Sequence, residues 1–417
     1  MKKLIFTPLL LGVIINVSAQ KDCSHDHTGL IPITDLGTEF YRGFMGGLYP
    51  DGTSNRPSDH QTACIEHVQQ IQPLDYDGNY DEDGKIVMLS IGASNPSSEF
   101  DKFSTFSFYY PGLNDKLAFV NGCVGGYGIQ EMVPGGDYVN SLLDGLLYNG
   151  YSAEQVQICW LEEENTQEGD TAFPSASLNL VGDFLNLLTL VKTLFPNVKI
   201  CYLSARAYSG YADPVDLTID NGLEFPRDYM NGWTIKWVIE NIINHVPGYE
   251  YDGPSATIPL ATWGTYHWTD GSTPRADGLF LDCATDVTED GLHLTGPGEI
   301  KIGQLMYNYF LSDTTAKYWY FKEGYNGIND EQNGNAALNI FPNPVDGNTL
   351  NIECEGLVNT GDFNINIRSM DGKIVYAATK KNSGNLSVEL PEIINGIYLL
   401  TVESQHQLMN STFVIAN

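Results

Sequence analysis

The stretch VMLSIGASNPSSEF, residues 87–100, decides how the chain folds. Val87, Met88, Leu89 and Ile91 are apolar with only Ser90 among them, the pattern of a strand buried on both faces. Gly92-Ala93-Ser94-Asn95-Pro96 then stops it with turn residues. A strand of that kind places Ser94 at the carboxyl edge of a sheet. The plain reading is a turn serine. The sharper reading is a nucleophile, which needs a base, an orienting carboxylate and oxyanion donors from elsewhere in the chain.

Working outward, four runs read as buried strands: Lys85–Gly92, Lys116–Gly122, Gln155–Leu161 and Asn197–Ser204. Helical patterns lie between them. The longest spans Leu178 to Phe195, where Leu180, Val181, Phe184, Leu187, Leu188 and Val191 make one broad apolar face, and Pro196 ends it. Strands alternating with helices predict right-handed βαβ units, an α/β fold with a parallel sheet. Ligands of such sheets bind beyond the carboxyl ends of the strands, where Ser94 would sit.

Composition changes near residue 321. Residues 321–336 are rich in Gly, Asn and acid, have little to bury, and read as a linker between residues 20–320 and 337–417. Beyond it, Leu350–Cys354, Phe363–Arg368, Lys373–Tyr376, Leu386–Leu390 and Tyr398–Val402 predict a small β-sandwich.

The amino terminus reads as a secretory signal peptide over residues 1–19. Met1-Lys2-Lys3 is basic, Leu4 to Val17 is mostly apolar, and Val17-Ser18-Ala19 supplies small residues before Gln20. With Pro8 and Asn16 it falls short of the roughly 20 apolar residues that cross a bilayer, and no later segment is apolar enough to span. The expected product is secreted or held at the cell surface. A formal charge of −31, from 52 acidic against 21 basic residues, disfavours nucleic acid and anionic membranes as partners. Export permits disulfides, but seven cysteines (23, 64, 123, 159, 201, 283 and 354) leave the pairing open. Cys159 and Cys201 lie in strand runs, where cysteine behaves as a small hydrophobe.

Candidate partners for Ser94 occur late in the chain. Asp290 and His293 lie three residues apart on a short polar loop before an amphipathic helix, a spacing at which a carboxylate can fix an imidazole's tautomer. The plain reading is a helix-entry loop. Gly125 and Gly126, after the second strand, allow close backbone approach to a substrate. After the third strand, Asn165 offers a side-chain amide, and Glu162, Glu163 and Glu164 read as a solvated run. Two other features point to ions. Asp75, Asp77, Asn79, Asp81 and Asp83 alternate as calcium ligands do, but the loop position for a closing acid falls on Ser90, so an acidic turn is preferred. His25-Asp26-His27 reads as a post-signal segment.

Serine after strand one, glycine after strand two, asparagine after strand three and a late Asp-x-x-His, in that order, resemble the SGNH (GDSL-like) hydrolases over roughly residues 46–320. GGLYPDGTSNRPSDH, GKIVMLSIGASN, NGCVGGYG and PRADGLFLDCATDVTEDGLH are similar to an exported bacterial branch of that family. The resemblance implies a flavodoxin-like three-layer sandwich. It implies Ser94 as nucleophile, His293 as base, Asp290 as its orienter, and an oxyanion hole from the Ser94 and Gly126 amides and the Asn165 side chain. Ala93 stands where the family usually has aspartate, and the third block lacks its usual Gly-x-Asn-Asp form.

ALNIFPNPVDGNTLNI, INIRSMDGKIVYAA and NGIYLLTVES, within residues 337–417, resemble the type IX secretion sorting domain of Bacteroidetes. That implies passage through the periplasm and a partner in the type IX machinery. The aromatics of this segment are scattered, which favours a sorting domain over a carbohydrate-binding sandwich.

The expected activity is a secreted serine ester hydrolase that works through an acyl-enzyme, removes acetyl or other short acyl groups from carbohydrate, and needs no cofactor or metal. The alternative is a non-catalytic, cell-surface glycan-binding protein on the same scaffold. Trp263, Tyr266 and Trp268 serve either reading as sugar-stacking rings, or neither as core.

Overall fold

A computed structural model describes residues 21–212, 221–322 and, short loops excepted, 337–415. The signal peptide reading and most of the linker, from residue 323, lie outside the described residues.

The larger unit is a five-stranded parallel sheet made of β1 (Ile86–Gly92), β2 (Leu117–Asn121), β3 (Val156–Glu162), β4 (Ile200–Ala205) and β5 (Leu260–Tyr266). Its order is β2-β1-β3-β4-β5, and every neighbouring pair is parallel. The four strands read from sequence are present with ends moved by at most three residues. The fifth was missed, because LATWGTY mixes small, polar and aromatic residues and lacks the aliphatic run of the others. All of its residues are buried.

Among the described residues, six principal helices flank the sheet: α1 (Ser58–Val68), α2 (Ser94–Phe108), α3 (Asp137–Tyr148), α4 (Ser175–Leu194), α5 (Arg227–Ile243) and α6 (Gly296–Ser312). α2 packs on α6, and α4 packs on α5. The chain leaves β1 toward one sheet edge through α2 and leaves β3 toward the other through α4. Right-handed crossovers therefore put those helices on opposite faces. The result is a three-layer flavodoxin-like sandwich whose strand order reverses between β1 and β3, the place where such sheets hold ligands.

The core explains the stability of this arrangement. Leu180, Phe184, Leu187, Leu188 and Val191 of α4 are at most 3% exposed, each worth about 1.5–3 kcal/mol on burial. Trp263, Tyr266 and Trp268 belong to this core as well, exposed by only 1%, 3% and 0%. The sugar-stacking role is thereby excluded for them: the Trp263 indole donates to Leu48 O and that of Trp268 to Asp228. The core also takes in Trp319, Tyr320 and Phe321, and Lys322 N donates to Gly112 O. Among the described residues the unit therefore extends at least to Lys322.

The smaller unit has two antiparallel sheets. β6 (Ala337–Phe341), β7 (Thr349–Glu355) and β10 (Asn385–Glu389) form one in the order β10-β7-β6. β8 (Asp362–Ser369), β9 (Ile374–Lys381), β11 (Gly396–Glu403) and β12 (Leu408–Ile415) form the other in the order β9-β8-β11-β12. Phe363, Ile365 and Ile367 alternate inward from β8 to a core shared with Leu350, Ile352, Val388, Leu400 and Phe413.

Candidate active site

Ser94 opens α2 directly after β1, with Ala93 making the turn. Gly92 is required there: a Cβ on it would lie 2.6 Å from Pro96 Cβ and 2.7 Å from Glu162 O. Only a bare backbone lets strand and helix meet so closely, and this closeness presents Ser94 at the sheet's edge.

The Asp290–His293 loop folds back over that edge. Gly291 turns it at a φ of +74°, pressed against the Tyr211 carbonyl. Ser94 Oγ lies 2.7 Å from His293 Nε2, and His293 Nδ1 lies 2.6 Å from Asp290 Oδ2. The consistent tautomer has Nδ1–H donating to the carboxylate and Nε2 accepting from the serine hydroxyl. Asp290 Oδ1 accepts from His293 N, Leu292 N and Thr288 Oγ1 at 3.0, 2.9 and 2.6 Å. Partial burial works to raise the Asp290 carboxyl, but the donors of His293, Thr288 and Leu292 outweigh it and hold it well below the usual range. Asp290 is thus a fixed anion aimed at the imidazole.

Asn95, read from sequence only as a turn residue, spans this loop. Its Nδ2 donates to Leu292 O at 2.9 Å and its Oδ1 accepts from Leu294 N at 3.3 Å. A second support comes from the amino terminus: Lys21 N donates to Glu289 O and Lys21 Nζ to Val287 O. Cys23 is disulfide-bonded to Cys283, 260 residues away, which fastens that segment beside the loop. Spacing offers no signal for either contact. Cys64, Cys123, Cys159 and Cys201 are free thiols, with Cys159 and Cys201 fully buried in the sheet.

On the other side of the serine, Gly125 lies against Ser94: a Cβ on it would be 3.6 Å from Ser94 Cβ. Gly126 has a φ of +84° and open space where a side chain would stand. Among the described residues, the amides of Ser94 and Gly126 donate to no protein group. Ser94 also sits at the positive end of α2.

Asn165 does not join them. Its Nδ2 donates to Asp183 at 2.9 Å, its Oδ1 accepts from Gln167 N, and its own N–H is taken by Glu164. A carboxylate on α4 competes for the amide, and the sequence gives no sign of it. The three glutamates before it are another correction. Glu162, Glu163 and Glu164 are 1%, 3% and 1% exposed, not solvated. Glu164 pairs with buried Arg227 at 2.6 Å and accepts from Asn231. Glu163 accepts from Glu164 N, and burial pushes its carboxyl up. Glu162 meets His267 and Glu99, the one group among the described residues with metal-ligand spacing.

The acidic turn is held by its own side chains. Asp75 Oδ1 accepts from the N–H groups of Asp77 and Asn79, and Asp81 accepts from Asp83 N, so these side chains cap their own loop.

Residues 339–416 match the family model of the secretion system C-terminal sorting domain. No curated protein matches the chain. Among solved structures, the periplasmic domain of a lipopolysaccharide acetyltransferase from Salmonella ser. Paratyphi A aligns at 13% identity and a TM-score of 0.31, over 60% of this chain and 96% of that one. CopC from Methylosinus trichosporium OB3b aligns at 18% identity and 0.17, over 19% and 91%. The BSP domain of a biofilm-associated protein aligns at 19% and 0.16, over 17% of this chain and only 13% of its own. Scores this low carry no argument about activity. The sorting domain makes this a secreted or cell-surface protein that engages the type IX secretion machinery. Among the described residues no helix is long and apolar enough to cross a membrane.

Proposed function

We propose that the exported chain is a serine ester hydrolase of the SGNH type, acting on short acyl esters of carbohydrate. The observation that carries this reading is the continuous relay from Ser94 Oγ through His293 to Asp290, at 2.7 and 2.6 Å. An incidental histidine has no reason to be held at both ring nitrogens between a helix-terminal serine and an ionised carboxylate.

In the proposed reaction Ser94 Oγ attacks the ester carbonyl carbon while its proton passes to His293 Nε2. Asp290 stabilises the imidazolium that forms. The developing oxyanion is held by the free amide of Ser94, at the amino end of α2, and by that of Gly126, in the turn after β2. Collapse returns the His293 proton to the leaving alkoxide and leaves an acyl group on Ser94. A water then gives a proton to His293 and attacks the acyl carbon, and the second collapse releases the carboxylic acid and restores the Ser94 hydroxyl. Asn165 has no part in this account.

The substrate class rests on location and openness. The His293 side chain is 45% exposed, which suits a bulky, solvated leaving group such as a sugar hydroxyl. Trp263, Tyr266 and Trp268 are core, so neither this reading nor the glycan-binding alternative draws on them as sugar platforms.

The test is hydrolysis of a chromogenic acetyl ester by the purified mature chain. Activity is expected, with covalent labelling of Ser94 by a fluorophosphonate, and Ser94→Ala should lose 10³-fold or more while folding normally. A wild-type chain with no turnover and no labelling, or a Ser94→Ala chain with wild-type turnover, would overturn the reading.

A further inference from the structure

We propose that Glu99, Glu162 and His267 bind a divalent transition-metal ion of the zinc class, at a site separate from the serine relay. The three come from different elements: Glu99 from α2, Glu162 from the end of β3, and His267 from the residue after β5. Their ligand atoms lie within 4.8 Å of one another, and the side chains are 0%, 1% and 0% exposed.

The direction of these contacts distinguishes a ligand set from a hydrogen-bonded cluster. His267 Nδ1 lies 2.8 Å from Glu162 Oε2 and 3.3 Å from Glu99 Oε2. Yet Nδ1 makes no hydrogen bond, because neither oxygen lies along its N–H direction. The ring nitrogen is close to both carboxylates and hydrogen-bonded to neither. Bonds of about 2.0–2.2 Å to a tetrahedral ion would put ligand atoms roughly 3.3 Å apart, close to this spacing. All four carboxylate oxygens are buried without a hydrogen-bond donor. Either carboxylate can therefore bind through two oxygens and complete four-coordination. Thr265 Oγ1 sits 2.6 Å from His267 Nε2, the outer partner that fixes a metal-binding imidazole with Nδ1 free to coordinate.

Charge points the same way. With the imidazole neutral and both carboxylates ionised, as metal ligands require, the set would carry two negative charges, which a dication cancels. One histidine with two carboxylates suits zinc-class ions better than calcium or magnesium. The consequence is mechanical: the ion would tie α2, the helix that begins with Ser94, to β3 and to the segment after β5. The inference does not depend on the chain being an esterase.

The test uses the whole mature chain, unfolded with chelator and refolded with or without zinc sulfate. One tightly held equivalent of zinc by mass spectrometry is expected, with a melting temperature raised by about 10 °C. Cobalt in its place should give the visible absorption of a low-coordinate site. Glu162→Gln should lose the equivalent. A His25→Ala, His27→Ala chain should keep it, since that exposed pair is the competing source of imidazole. If Glu162→Gln fails to fold, the metal content and cobalt spectrum of the unaltered chain decide alone. Substoichiometric zinc with an unmoved melting temperature would overturn the proposal and leave two carboxyls sharing a proton. Retention by Glu162→Gln with loss from the His25, His27 variant would overturn it as well.

Discussion

Asn95 holds His293 by the backbone on both sides of it, donating to Leu292 O at 2.9 Å and accepting from Leu294 N at 3.3 Å. Ser94 and Asn95 are adjacent in sequence, so the start of α2 fixes the proposed nucleophile and the reach of the proposed base together.

Removing the clamp should therefore damage the chemical step more than binding. Asn95→Ala is expected to lower kcat by about 10- to 100-fold with KM little changed, since small misplacements of a reacting group cost that much. Steady-state kinetics on an acetyl ester check it. An unchanged kcat would show that the Asp290 contacts alone position His293.

The pH profile follows from the same loop. His293 must be unprotonated at Nε2 to take the serine proton, so kcat/KM should fall as pH drops. Asp290 is held well below the usual range and stays charged across that limb. The limb should thus have a slope of one proton. The sign for stability is separate. A depressed carboxylate contributes stability that is present above its unfolded value near 3.9 and lost as pH falls toward its folded value. Asp290→Asn should cost about one to two orders of magnitude less activity than His293→Ala, which removes the base outright. A two-proton acid limb would place a second titrating group in the relay.

The disulfide should matter for both stability and turnover. Cys23 and Cys283 are 260 residues apart, and closing so long a loop is worth up to about 5 kcal/mol. The double change Cys23→Ser, Cys283→Ser is expected to lower the melting temperature by about 5–10 °C. It should also reduce kcat, because Lys21 and its neighbours would no longer be fastened against Val287 and Glu289. Calorimetry and ester kinetics on the same sample separate the two effects.

Truncation locates the end of the larger unit. A mature chain ending at Lys322 should keep full ester hydrolysis, since the sorting domain has its own core. One ending at Tyr320 should melt several degrees lower, having lost Phe321, which is 7% exposed and bridged to Leu113. Burial of that ring is worth about 2 kcal/mol. In the native host either truncation should abolish surface delivery. Equal melting of the two chains would place Phe321 outside the cooperative unit.

What could be read from the sequence was what is local. The aliphatic strands, the helix over Leu178 to Phe195, the turn at Gly92 to Pro96 and the Asp-x-x-His spacing each depend on residues a few positions apart, where periodicity and turn chemistry act. The sorting tail was legible for the same reason, from short runs of fixed composition. The fold class follows from their alternation.

The tertiary structure decided everything that depends on partners distant in sequence. Glu162 to Glu164 look like a solvated run until Arg227, Asn231 and His267 arrive from later segments to cover them. Asn165 looks like an oxyanion donor until Asp183 takes its amide. Trp263, Tyr266 and Trp268 look like platforms until the fifth strand and the segment after it take them into the core. The cost of burying a charge or an aromatic ring depends on what lies opposite it, and that is fixed only when the sheet closes. For the same reason the sequence named Ser94, Asp290 and His293 as candidates and paired the last two locally, while the meeting of Ser94 with His293 at 2.7 Å was set by packing between segments some 200 residues apart.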